Sequence, residues 1–154
     1  MLDYSVIIAT KENLQLDDVC VNRVLEDSLA SFYFALTERN IAPQITITEK
    51  NIVRSLNQDA LSRIFGNVLT NAVKYSDGDL AVILDDNGRI TFSNTALSLD
   101  EVQVGKLFDR FYTVEAARKS TGLGLAIAKT LVEQMNGTIK ATYINKKLSI
   151  IIEF

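Results

Sequence analysis

A chain of 154 residues, 47% hydrophobic and 23% charged, can bury one substantial core and is too short for two ordinary domains. Its formal charge of −3 comes from 16 basic and 19 acidic residues with no block of like charge, which indicates neither a nucleic-acid footprint nor an anionic-membrane surface. Histidine is absent and Cys20 is the lone cysteine, so histidine metal sites, Ser-His-Asp triads, an internal disulfide framework and any phosphohistidine formed within the chain are excluded.

Cys20 reads as a small core residue in a reducing compartment. Apolar runs such as Ser5-Val6-Ile7-Ile8-Ala9 fall far short of the ~20 residues a membrane span needs, and no signal-peptide pattern is read. The first helix is predicted from Asn22 to Arg39, with Val24, Leu25, Ala30, Phe32 and Leu36 on one face and Asn40 as its stop. Ile45-Thr46-Ile47-Thr48 alternates as a strand does. From Gln58 to Tyr75 the positions Leu61, Ile64, Phe65, Val68, Leu69 and Ala72 follow the helical period closely, predicting an amphipathic helix. Leu80 to Leu84 and Ile90 to Phe92 read as strands joined at the tight-turn signal Asn87-Gly88. Ser98 with Glu101 suits a capping box for a short helix reaching Phe108. Leu123 to Met135 reads as a helix closed by Asn136-Gly137, and a last hairpin pairs Thr138 to Ile144 with Leu148 to Phe154. Alternating helices and strands without internal repeats predict a single α/β or α+β domain.

Two places carry chemistry. Asn67, Asn71, Lys74 and Tyr75 share a stripe beside the apolar face of the Gln58–Tyr75 helix. Asparagine competes for backbone hydrogen bonds, so two of them one turn apart inside a helix call for a reason. A solvated face is one. Amide oxygens ligating a hard cation such as Mg²⁺, with Lys74 pairing to phosphate, is the other. In Ser120-Thr121-Gly122-Leu123-Gly124-Leu125, two glycines before a helix either make a tight turn or bring backbone N–H groups close to a bulky anion. Neither a Walker loop nor a GxGxxG fingerprint is present.

The order of NVLTNAVKYS (Asn67 to Ser76), LFDRFY (Leu107 to Tyr112) and STGLGLAIAK (Ser120 to Lys129) resembles the N box, F box and second glycine box of the catalytic, ATP-binding domain of bacterial sensor histidine kinases. The resemblance runs from about Leu16 to Phe154. It implies an α+β two-layer sandwich of the Bergerat type, a mostly antiparallel mixed sheet of about five strands on about three helices. It implies ATP and Mg²⁺ as ligands, with Asn71 on the metal and Asn67 near the phosphates or the metal. Lys74 would pair with phosphate and Tyr75 would pack on the nucleotide. Phe108 and Phe111 would anchor a lid over roughly Tyr112 to Ser120, carrying Arg118 and Lys119 as partners for polyphosphate. Thr121, Gly122, Leu123 and Gly124 would enclose the phosphates, with Leu125 following at the helix start. Residues 1–15 would be a linker or the tail of a preceding dimerisation helix, and 16–154 the catalytic domain.

One box departs from the family pattern. Where many members carry Asp-x-Gly-x-Gly, this chain has Asn94-Thr95-Ala96-Leu97. Asn94 would stand at the carboxylate that accepts from the adenine amino group, with an uncharged acceptor that can rotate its NH₂ toward guanine, so adenine preference is expected to relax. Related gyrase, chaperone and mismatch-repair ATPases place a glutamate where Asn67 stands. An amide cannot act as a general base, which favours transfer to a protein acceptor over hydrolysis. The resemblance implies, as partners, a histidine-bearing dimerisation domain of the same kinase and, indirectly, a response regulator, with no nucleic-acid partner. The domain is expected to be monomeric and cytoplasmic, without membrane contact of its own. An anti-sigma-type serine kinase and a degenerate nucleotide-binding or protein-interaction module are the alternative readings.

Overall fold

A computed structural model describes residues 14–109 and 124–154. In chain order these form β1 (Asp17–Cys20), α1 (Val21–Ser31), α2 (Tyr33–Glu38), β2 (Ala42–Ile47), β3 (Val53–Leu56), α3 (Gln58–Tyr75), β4 (Asp79–Leu84), β5 (Ile90–Thr95), α4 (Glu101–Gly105), α5 (Gly124–Gln134), β6 (Thr138–Ile144) and β7 (Lys147–Glu153). Five strands make one sheet in the order β2-β4-β5-β7-β6. Only the β2·β4 pair is parallel. Leu80, Val82, Leu84, Ile90, Phe92, Leu148, Ile150 and Ile152 alternate to one face and are buried there beneath the helices, where the rings of Phe65 and Phe92 meet at 5.9 Å. This is the expected two-layer sandwich. A separate antiparallel pair, β1 with β3, was not foreseen.

The helix α3 spans the predicted range. Leu61, Ile64, Phe65 and Leu69 are fully buried, each worth roughly 1.5–3 kcal/mol against exposure. Asn57 caps the helix by accepting from the Ala60 N–H, an effect of about 1 kcal/mol. Burial therefore decides that the helix exists, and the cap decides where it starts.

Several boundaries differ from expectation for physical reasons. The predicted Asn22–Arg39 helix is two helices, broken at Phe32. There the Ser31 hydroxyl donates back to Ser28 O, and the Phe32 N–H divides between Ser28 O and Leu29 O, which interrupts the regular helical ladder. Leu29 is buried in place of Ala30, and Cys20 is half-buried rather than core. The capping box belongs to Asp100 and Gln103, not Ser98 and Glu101, and α4 stops before Phe108. β5 runs on to Thr95, so Asn94 lies in a strand. The last hairpin turns on Asn145 and Lys146 alone, both at positive φ, so Lys147 opens β7.

At the end of α5 the left-handed position is taken by Asn136 (φ 64°), not by Gly137. Gly137 is required for a different reason: a Cβ there would stand 2.6 Å from the Phe154 ring and 2.7 Å from Glu153 O. Since the backbone oxygen belongs to β7, Gly137→Ala is expected to destabilise the fold by about 1–3 kcal/mol in denaturant titration. Asn136→Gly should be near neutral, because glycine suits that φ equally well.

The sheet is open at β2. Thr48 N–H donates to Leu84 O, and alternation from there turns the amide groups of Ile45 and Ile47 toward the free edge. Pro43 stands on that same side, where its missing N–H blunts the edge against pairing.

Candidate active site

The helix α3 packs against α5, and the cleft between them is lined by Asn67, Thr70, Asn71, Lys74, Tyr75, Leu107, Gly124 and Leu125. Six of these eight are predicted site residues, brought together from two distant segments. Asn71 and Tyr75 are buried, and the Lys74 ammonium lies 5.3 Å from the centre of the Tyr75 ring. Gly124 sits directly over Asn67: a Cβ there would be 3.9 Å from Asn67 Cγ.

The most telling atom is Asn67 Nδ2, which is buried and has no hydrogen-bond partner among the described residues. An orphaned donor of this kind costs about 1–3 kcal/mol. An acceptor brought by a ligand would satisfy it, and an amide NH₂ suits an anionic oxygen, not a cation. Asn71, one turn on, carries an amide oxygen suited to a hard cation. Among the described residues no three His, Cys, Asp or Glu side chains gather as a metal cluster, so a cation here would share its shell between an amide oxygen, water and ligand oxygens.

The described part of the cleft encloses about 70 Å³, well below the ~300 Å³ of a typical ligand pocket. Phe111, Tyr112, Arg118, Lys119, Thr121, Gly122 and Leu123, which the sequence assigns to its lid and phosphate wall, lie outside the described residues. A larger groove, about 580 Å³, lies between α1, α2 and β2. Its lining is apolar apart from Glu26 and Tyr33 and offers no convergent cation or amide set, so the smaller cleft is the candidate.

Asn94 is buried on the helix side of β5 and is not among the residues lining the cleft. Its Nδ2 donates to Thr95 O (3.1 Å). A carbonyl only accepts, so the amide is oriented with its NH₂ on Thr95 and its oxygen turned away. Thr95 donates from N–H and hydroxyl to the two Asp79 carboxylate oxygens (2.7 and 2.8 Å). Burial pushes the Asp79 carboxyl up, but these two bonds, its own N–H and Lys147 together hold it below the usual carboxylate range. Ala96 is fully buried, so its side chain closes the space a glycine would leave. Phe108 is half-buried against the core rather than lining the cleft; its neighbour Leu107 lines it instead.

Thr70 and Leu107 were missed by sequence reasoning. Thr70 lies three residues from Asn67 on the same helical stripe and was legible by spacing, whereas Leu107 had no periodic signal of its own.

A mixed five-stranded sheet beneath helices, with paired asparagines and a lysine facing a glycine across the cleft, is the α+β arrangement that the resemblance to ATP-binding domains implies. Residues 56–153 match the family described as Histidine kinase-, DNA gyrase B-, and HSP90-like ATPase, and the chain belongs to that family. It is 30% identical over 136 residues to Sensor protein VanSC of Enterococcus gallinarum, covering 83% of this chain and 37% of that protein. It is 40% identical over 106 residues to Sensor protein kinase WalK of Staphylococcus aureus, covering 62% of this chain and 26% of that protein. The chain thus spans well under half the length of these relatives. In fold it is similar to the mycobacterial sensor histidine kinase MprB (TM-score 0.77, 22% identity, 89% of this chain and 95% of that one). The catalytic domain of histidine kinase ThkA is comparable (TM-score 0.78, 17% identity, 90% and 94%). No helix among the described residues is long and apolar enough to cross a membrane.

Proposed function

We propose that the chain presents Mg-ATP for phosphoryl transfer to a histidine on a separate dimerisation domain of the same sensor kinase, from which a response regulator takes the phosphate. The observation that carries this reading is the orphaned Asn67 Nδ2, buried beside Gly124, Asn71 and Lys74. Asn67 donates to a phosphate oxygen, Asn71 Oδ1 ligates Mg²⁺, and Lys74 adds a positive charge. The sequence reading put Asn67 near the phosphates or the metal; the unpaired NH₂ favours the phosphates. Mg²⁺, when bound, neutralises charge that develops on the phosphates during transfer. Tyr75 packs beside the nucleotide, and Asn94 Oδ1 accepts from the adenine amine. Rotating that amide to serve guanine would give up its bond to Thr95 O, so adenine is preferred despite the missing carboxylate.

Asn67 takes no proton, so the site lacks a base for water and favours a protein acceptor. The chain contains no histidine, hence the acceptor must come from elsewhere. In this reading residues 1–15 are the tail or linker toward the dimerisation domain, 16–154 bind the nucleotide as a monomer, and the work is done on the cytoplasmic side, where ATP is supplied.

Calorimetry with Mg-ATP tests the proposal. The expected result is saturable binding, stronger than for Mg-GTP, with no acid-labile label on the isolated chain from γ-labelled ATP. Mixed with the dimerisation domain of its parent kinase, the chain is expected to label that domain's histidine. Absence of ATP binding would overturn the whole reading; binding without transfer in trans would overturn the histidine acceptor and favour a serine kinase.

A further inference from the structure

The segment from Asn94 to Asp100 contains no glycine, and none of its residues has positive φ. Its shape is imposed from outside. Ala96 N–H donates to Lys146 O (2.9 Å), and Leu97 N–H donates to Asp77 Oδ2 (2.6 Å). From β6, 47 residues away in sequence, the Tyr143 hydroxyl reaches Ala96 O at 2.6 Å and Leu99 O at 2.9 Å. A phenol has one proton to give, so this is one donor shared between the two carbonyls that open and close the 96–99 turn. The turn also closes on itself, with Leu99 N–H donating to Ala96 O.

The consequence reaches Asn94 through one peptide plane. Thr95 O and Ala96 N belong to the same rigid unit, and that oxygen holds Asn94 Nδ2. The carbonyl edge of the plane also accepts from the Asp77 N–H (2.9 Å), its N–H edge is fixed by Lys146 O, and the next carbonyl along is fixed by Tyr143. We infer that Tyr143 is a positioning residue for base recognition: its hydroxyl sets the 96–99 turn and, together with the Asp77 N–H and Lys146 O on the Thr95–Ala96 peptide, the rotation of the Asn94 amide. The inference rests on the nucleotide reading above. Burial raises the hydroxyl's pKa above the usual tyrosine value, helped by the negative charges of Asp100 and Asp77, so Tyr143 stays a donor throughout the neutral range.

Tyr143→Phe keeps the ring and removes the donor. Mg-ATP affinity is expected to fall about five-fold while affinity for magnesium tripolyphosphate, which has no base, stays unchanged. The ratio of ATP to GTP affinity should shrink with it, and amide exchange at residues 96–99 should quicken. A residue that merely supported the fold would weaken both ligands equally or neither. Unchanged ATP affinity, or an equal loss for ATP and tripolyphosphate, overturns the inference. A wild-type chain that binds neither ligand overturns the nucleotide reading, and this inference with it. Should Tyr143→Phe fail to fold, Tyr143→Met, which also lacks a donor and fills space with a flexible apolar chain, is measured against the same two ligands, and a selective loss for ATP is again the expected result. Equal effects on both ligands would again overturn it.

Discussion

Asn71→Ala is expected to weaken Mg-ATP binding by at least about 30-fold, the scale of losing one charge-assisted contact of about 2 kcal/mol. Stability should change by no more than about 1 kcal/mol. The side chain is buried, but it lines the cleft between α3 and α5 and lies outside the apolar core cluster. Its truncation therefore enlarges a cleft and does not open a sealed cavity. Leu61→Ala, on the same helix and fully buried, supplies the contrast, because a core truncation of that kind costs about 2–5 kcal/mol. The comparison separates a ligand-holding role from a structural one on a single element. Calorimetry in parallel with urea denaturation decides it: unchanged affinity in Asn71→Ala would remove the metal assignment. Lys74→Ala should also weaken binding, with an effect that fades as salt rises, since a charge contact is screened and an inner-sphere ligand is not.

The site was legible where it follows a helical period. Asn67, Asn71, Lys74 and Tyr75 fall on one stripe because α3 has its predicted length and register, which six apolar side chains at the right spacing enforce. The orientation of the Asn67 amide was not legible, since it depends on which of its atoms the packing of α5 leaves unpaired. The capping error has a local cause. Ser98 with Glu101 and Asp100 with Gln103 are both acceptable boxes two residues apart, and only packing chooses between them.

Long-range polar links were invisible for a related reason. Asn22 donates to Thr48 O and Lys50 O and accepts from the Ile52 N–H, clamping the β2–β3 connection onto the start of α1. Nothing in its neighbourhood in sequence announces a partner about 30 residues away. β1 and β3 are short, rich in polar residues and non-local, so neither shows the alternation by which β4 and β5 are recognised. Tyr143 belongs to the same class: a lone tyrosine on a strand whose function is defined only by what lies across from it.

Gly124→Ala is expected to make the protein more stable and less able to bind nucleotide. Gly124 is in a helix and does not take positive φ, so its lack of a side chain is not a conformational need there. Alanine in such a position is favoured by up to about 1 kcal/mol, which for a domain of this size raises the melting temperature by about 2–4 °C. Among the described residues no clash opposes the gain, because the new Cβ would meet Asn67 Cγ at 3.9 Å, an ordinary contact. The same methyl would occupy the space over the orphaned Asn67 amide, where in the proposed reading a phosphate oxygen accepts from Nδ2. Mg-ATP affinity should therefore drop on the order of ten-fold, the scale of one lost hydrogen bond to a charged group. Gly66→Ala is the matched control. It lies on α3, its Cβ would meet, among the described residues, only the Phe32 ring at 3.9 Å, and it does not line the cleft, so it should gain stability with affinity unchanged. If Gly124→Ala binds Mg-ATP as the wild type does, the space between Gly124 and Asn67 is not where the phosphates sit.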